Sequence, residues 1–256
     1  MKLFAMQCGV LYSNKAFFVA NTTGEFNVPV PYYLIEHEKG YVLFDSGHNK
    51  NTIDDPKSLP EGIFAAYNPA DFGDGYVLDS LKKAGVKPED IVYHVCSHLH
   101  FDHAGGVGLF PNATYVVQRQ ELHYAFVPDP FMKLAYLRED FDKNVNWLLL
   151  DGWNDNRYDL FGDGKLIIYY TPGHTPGHQS LLVNLEESGS MLLAADACYT
   201  EENLNDLKLS GLAADNTTYI NTLMTFKDLR KRGAKIVTGH DPEAWLSIKK
   251  FPAFYQ

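Results

Sequence analysis

The segment Ser97-His98-Leu99-His100-Phe101-Asp102-His103-Ala104-Gly105-Gly106 constrains this chain more than any other. It sets four potential metal ligands within six residues, directly after the apolar run Ile91-Val92-Tyr93-His94-Val95-Cys96. In an extended backbone, residues i and i+2 point to the same side, so His98 and His100 can face one ion. Once the chain turns, Asp102 and His103 can reach toward a second. Gly105 and Gly106 permit backbone geometry that a Cβ would resist. Imidazole mixed with carboxylate suits zinc and neighbouring divalent metals.

Three further segments complete such a site. Tyr169 to His178 reads as a strand end running into two Pro-Gly turns, which present His174 on a rigid loop. Met191 to Asp196 is a short apolar strand ending in a carboxylate, and Ile236 to Asp241 is a strand end carrying His240. Polar side chains where strands give way to loops are a common way to build a site on a layered scaffold. In this reading His98, His100 and His174 hold one metal, Asp102, His103 and His240 hold the other, and Asp196 bridges them. A carboxylate can bridge because it has two oxygens and offsets part of the repulsion between dications. Two metals roughly 3.5–4 Å apart can share a hydroxide generated at neutral pH. Zinc is the default ion for such donors, and iron, manganese or cobalt can occupy the same ligands.

These motifs, in this order and at these spacings, resemble the metallo-β-lactamase superfamily. The likeness runs from Tyr32-Tyr33-Leu34-Ile35 and Leu43-Phe44-Asp45-Ser46-Gly47 to Thr238-Gly239-His240-Asp241. Within the superfamily the chain is most similar to the quorum-quenching N-acyl-homoserine lactonases. The Leu and Phe spacers of His98 to His103, the run Thr171 to Ser180, and Tyr199 three residues after Asp196 carry that likeness. The resemblance implies an α/β fold, the four-layer αββα sandwich, and a dinuclear metal-dependent hydrolase. It implies attack of a metal-bridging hydroxide on the lactone carbonyl, with Tyr199 hydrogen-bonding the substrate and Asp102 passing a proton to the leaving alkoxide. Phe101 is a candidate contact to the substrate ring, or equally a core residue.

Composition narrows the alternatives. A chain of 256 residues can bury a substantial core, and a single domain over 1–256 is expected. Its apolar runs fall far short of the ~18–20 residues that cross a bilayer. Met1 to Cys8 reads as a first strand and not as a signal peptide. Three cysteines without C-x-x-C spacing suit a reducing cytoplasm, with Cys96 and Cys198 as small buried hydrophobes. A formal charge of -10 argues against a nuclease, because phosphate binding calls for a basic stripe. The basic cluster Lys227 to Lys235 reads as a solvated helix face. The expected partner is a small lactone or ester, with no nucleic acid and no membrane, and the oligomeric state stays open, a homodimer included.

Strand-like runs fall at Tyr32 to Glu36, Tyr41 to Asp45, Ile91 to Cys96, Thr114 to Gln118, Lys165 to Tyr170, Ser180 to Leu185, Met191 to Ala194 and Ile236 to Thr238. Helical patterns cover Gly75 to Ala84, Arg119 to Phe126, Asn216 to Arg232 and Pro242 to Lys249. The aromatic-rich stretch Tyr124 to Tyr158 admits two readings, a lid over the metals or core packing. His178 is expected to make a structural hydrogen bond, and His37, His48, His94 and His123 carry no supporting pattern.

The rival activity is a thioesterase of the glyoxalase II kind, whose C-terminal glutathione-binding region has little room in the sixteen residues after His240. A β-lactamase would carry Cys at Asp196. A flavodiiron-type redox protein would carry Glu at His100 and a flavin domain.

Overall fold

The computed structural model describes residues 1–152, 154 and 156–256. Trp153 and Asp155, inside the Tyr124 to Tyr158 stretch, lie outside the described residues. A seven-stranded sheet contains β1 (Lys2–Asn14), β2 (Glu25–His37), β3 (Gly40–Phe44), β4 (Pro69–Ala70), β5 (Ile91–Val95), β6 (Thr114–Gln118) and β7 (Trp147–Leu150). Its order is β4-β1-β2-β3-β5-β6-β7, antiparallel as far as β3 and parallel from β3 to β7. A five-stranded sheet contains β8 (Arg157–Asp159), β9 (Leu166–Tyr170), β10 (Gln179–Leu185), β11 (Gly189–Leu193) and β12 (Lys235–Val237), ordered β12-β11-β10-β9-β8. Its β11–β12 pair is parallel and its other pairs are antiparallel.

Alternation along the strands sorts side chains into three cores. Tyr33 and Ile35 of β2, Val42 and Phe44 of β3, and Val116 of β6 face inward between the sheets. There they meet Leu166 and Ile168 of β9, Leu181 and Val183 of β10, and Met191 and Leu193 of β11. The intervening residues, such as Tyr32, Leu34, Leu43, Tyr115 and Val117, face helices on the outside of the large sheet. These are α1 (Lys50–Asp54), α2 (Glu61–Tyr67), α3 (Val77–Ala84), α4 (Arg119–Phe126) and α5 (Arg138–Phe141), of which Ile63, Val77, Leu81 and Ala125 enter that core. On the outer face of the small sheet, Tyr169, Leu182, Leu192 and Ile236 pack against α6 (Glu201–Asp206) and α7 (Asn216–Lys231). The last helix, α8 (Pro242–Leu246), sends Trp245 into the inter-sheet core. Helix, sheet, sheet and helix are therefore the four layers of an αββα sandwich.

Two expectations need correction. The second strand begins at Glu25, not Tyr32, because Pro29 and Pro31 hide it from a propensity reading. They are tolerated where the β1–β2 ladder shifts register between Gln7 and Val10, the setting in which a strand accommodates proline. The pairing of His98 with His100 also has a different origin. β5 ends at Val95, and the two histidines lie on the irregular loop beyond it, so the course of that loop and not the pleat of the strand sets their directions.

Much of the stretch from Tyr124 to Tyr158 packs as core. Met132, Tyr136 and Phe141 are core residues, and Trp147–Leu150 joins the large sheet as β7. From that core Tyr136 also sets its ring 4.5 Å from that of His100. No helix among the described residues is long and apolar enough to cross a membrane.

Candidate metal centre

Every predicted ligand lies at one edge of the sandwich, where strands end. The large sheet supplies His98, His100, Asp102 and His103 from the loop after β5. The small sheet supplies His174 from the β9–β10 loop, Asp196 from the 3-10 turn Ala195–Ala197 after β11, and His240 after β12. All seven are buried, none more than 5 % exposed. Their donor atoms form two groups, His98, His100, His174 and Asp196 in one, Asp102, His103 and His240 in the other, each gathered within 4.8 Å.

In the first group, His98 Nε2 and His174 Nε2 lie 3.0 and 3.1 Å from His100 Nδ1. Asp196 divides its oxygens between the groups. Oδ2 is 3.3 Å from His174 Nε2 and 3.6 Å from His98 Nε2, while Oδ1 is 3.1 Å from His240 Nε2 and 3.2 Å from His103 Nε2. Asp102 Oδ2 lies 3.6 and 3.7 Å from the same His103 and His240 nitrogens.

The outward nitrogens explain why these rings face inward. His240 Nδ1 donates to the Pro29 carbonyl at 2.7 Å, and His174 Nδ1 faces the Leu212 carbonyl at 3.1 Å. A carbonyl only accepts, so each Nδ1 carries the proton and each Nε2 presents a lone pair. Asp45 does the same for His103, accepting from Nδ1 at 2.9 Å. Ser97 Oγ donates to Asp45 Oδ2 and is left to accept from His98 Nδ1 at 2.9 Å. Such outer hydrogen bonds fix tautomer and ring angle at metal sites. Three inward atoms, His103 Nε2, His240 Nε2 and Asp196 Oδ1, are buried without a hydrogen-bond partner, as is His100 Nε2, whose ring turns Nδ1 inward instead. Buried polar atoms are almost always satisfied, and cations at the two groups would satisfy the inward His103, His240 and Asp196 donors.

The electrostatics agree. Burial alone would raise Asp196, yet the imidazoles of His103, His240, His174 and His98 hold its carboxyl well below the usual range. Burial would lower His103 and His240, but Asp196 and Asp102 lift both, with Asp45 adding to His103. His98 and His100 are pushed well down by burial and by neighbouring imidazoles. A neutral imidazole is the form that binds metal, so His98 and His100 stand ready for an ion, whereas His103 and His240 would release a proton on taking one.

Tyr199 Oη lies 3.1 Å from His174 Nδ1, and burial with the nearby Asp196 keeps the phenol protonated. Because that Nδ1 carries a proton, the phenol oxygen accepts there and its own O–H stays free. A narrow pocket beside the two carboxylates is walled by Leu11, Phe18, Tyr67, Phe101, Tyr199 and Leu212. Phe101 is thus both a core member and a pocket wall.

His178 makes the structural hydrogen bond expected of it, Nδ1 to Thr171 Oγ1 at 2.9 Å. His94 is a core histidine set between Phe110 and Tyr115. The His48 ring packs 5.5 Å from that of Phe101 and lies in neither donor group. Cys96 and Cys198 are unpaired, fully buried and outside both donor groups. Sequence reasoning misses the supports Ser97, Pro29 and Leu212. Two of them act through backbone carbonyls, which leave no trace in residue type.

Comparison with known proteins places this constellation. Residues 27–240 match the metallo-beta-lactamase superfamily. The N-acyl homoserine lactonase AttM of Azorhizobium caulinodans is 42% identical over 233 residues, covering 90% of this chain and 89% of the relative. AttM of Agrobacterium fabrum is 41% identical over 261 residues, covering 100% and 98%. The solved structure of an N-acyl homoserine lactone hydrolase, with the product N-hexanoyl-L-homoserine bound at its catalytic metal centre, superposes with a TM-score of 0.88. It is 32% identical and the match covers 99% of this chain and 98% of that one. This chain belongs to the metallo-beta-lactamase superfamily and, within it, to the family of the N-acyl homoserine lactonases.

Proposed function

We propose that the protein is a metal-dependent hydrolase that opens the lactone ring of N-acyl-homoserine lactones and so quenches quorum-sensing signals. The observation that carries this reading is Asp196, one oxygen turned to each of two buried donor groups, beside a pocket that the Tyr199 side chain lines. Two divalent ions held there would supply a hydroxide at neutral pH and polarise the substrate carbonyl. Imidazole and carboxylate donors favour zinc, with iron, manganese or cobalt as substitutes.

The chain's own residues do the rest. Tyr199 donates its O–H to the lactone carbonyl oxygen, where negative charge develops; preorganised donors of this kind contribute a few kcal/mol. As the ring C–O bond breaks, Asp102 Oδ2, at the pocket wall, takes the proton of the oxygen that has added to the carbonyl and passes it to the leaving ring oxygen. Phe101 and its aromatic neighbours hold the ring and exclude water. Among the described residues no lysine or arginine lines this pocket, which suits an uncharged substrate better than the anionic glutathione thioester of the rival reading. Unpaired, buried cysteines fit a reducing compartment such as the cytoplasm.

The test is ring opening of N-hexanoyl-homoserine lactone by metal-loaded protein, followed as acid release. A kcat/KM of about 10⁴ M⁻¹s⁻¹ or more is expected. No turnover with two ions bound per chain would overturn the lactonase reading in favour of another ester or thioester.

A further inference from the structure

We propose that Glu121 is a positioning residue for one of the two donor groups, the one formed by His98, His100 and His174. This rests on the reading of that group as a metal site. Glu121 lies in the first turn of α4 and is wholly buried. Its carboxylate is held by hydrogen-bond donors and not by a lysine or arginine, and it gathers four of them from three separate segments. Oε1 accepts from the Leu99 backbone N–H at 3.1 Å and from Tyr136 Oη–H at 2.9 Å. Oε2 accepts from Thr175 Oγ1–H at 2.6 Å, and the Gly177 backbone N–H also donates to the carboxylate.

The identity of those donors is what gives the carboxylate its role. Leu99 sits between His98 and His100, and Thr175 directly follows His174. The Tyr136 ring stands edge-on to His100 at 4.5 Å. Gly177 belongs to the same Pro-Gly loop, pressed so closely on α4 that a Cβ there would lie 2.1 Å from Glu121 N. None of the four donors neighbours Asp102, His103 or His240 in sequence, so the restraint acts on a single group. His100 needs it most, since its Nδ1 faces inward and its Nε2 has no hydrogen-bond partner to orient the ring.

Only a carboxylate meets this demand. It accepts at about four lone-pair sites and donates nothing. In Glu121→Gln one oxygen becomes an amide NH₂; at the Oε1 position it would face the Leu99 N–H, which cannot turn away as a hydroxyl can, and at either position the Gln loses acceptor sites that the four donors use. Supports of this kind typically change metal affinity by about 10–100-fold.

The experiment measures zinc affinity by competition with a chromophoric chelator, together with the visible spectrum of the cobalt-loaded protein. Wild type, Glu121→Gln, Thr175→Val and Tyr136→Phe are compared. Glu121→Gln should weaken one of two ions by about tenfold or more, leave the other unchanged, and alter the cobalt bands. Thr175→Val and Tyr136→Phe each remove one O–H donor and should weaken the same ion by less, which carries the test should Glu121→Gln fail to fold. Unchanged affinities and cobalt bands in the folded variants, with only a lower Tm, would make Glu121 a structural residue and overturn the proposal. A wild-type protein that takes up no metal would instead overturn the metallohydrolase reading itself.

Discussion

Asp196 holds the two donor groups in register, since each of its oxygens lies 3.1–3.3 Å from a histidine of one group. Asp196→Ala should lower kcat/KM by about 10³-fold, the equivalent of several kcal/mol of transition-state stabilisation, and should leave fewer than two ions bound by elemental analysis. Tyr199→Phe is a finer cut. His174 keeps its Leu212 partner when the phenol oxygen goes, so metal content should hold and kcat should fall by about 10²-fold with KM little changed. Away from the metals, Asp140 gives a pH signature. Burial lifts its carboxyl to about 7, against the hydrogen bond from Asn49 Nδ2 at 2.7 Å. Its ordinary value is 3.8, so over that interval the folded chain binds more protons than the unfolded one, and stability falls as pH rises. Asp140→Asn should remove this contribution. Its Tm relative to wild type should therefore rise by a few degrees between pH 5 and pH 8, and a constant difference would refute the assignment.

Among the elements, α7 shows how packing and site are joined. Tyr219, Leu223 and Phe226 follow helical spacing and bury against the small sheet. The helix begins where Asp215 N–H and Ala214 N–H donate to the carbonyls of Gly173 and His174. Gly173, at φ +135°, has the Tyr219 backbone so close that a Cβ would lie 2.4 Å from its Cα. Leu223→Ala should destabilise the fold by about 2–5 kcal/mol, read from urea unfolding, while activity per folded molecule is retained. Elements of this kind are legible in the sequence, because the apolar period reveals a strand or helix that has one buried face. The pattern marks Thr114–Gln118 and Arg119–Phe126 to the residue. It does not mark the short helices α1, α2, α5 and α6, since four to seven residues are too few to display a period; α8, equally short, is signalled instead by Asp241-Pro242 at its start, and ends at Leu246, short of Lys249. The two residues of β4 escape for the same reason. All seven donor residues are legible, because donor chemistry is written in residue type. Glu121 and the carbonyls behind His174 and His240 are not, because their roles come from contacts between distant segments.

At the scale of the molecule, the donors are split between the sheets, four residues following β5 and three supplied by the loops of β9, β11 and β12. Ions bound only by the assembled site stabilise the folded state by mass action. Tm should therefore rise with free zinc and fall with a chelator, and Asp196→Ala should blunt that response in a thermal-shift titration. The same division governs when a metal can be captured. While the β5 loop stands alone it offers neither His174 nor His240, and a chain whose second sheet has not docked is a poor competitor for a metal ion. Tight retention thus belongs to the fully assembled sandwich, and the ion acts as a seal on correct assembly, one that a half-folded or nicked molecule could not keep.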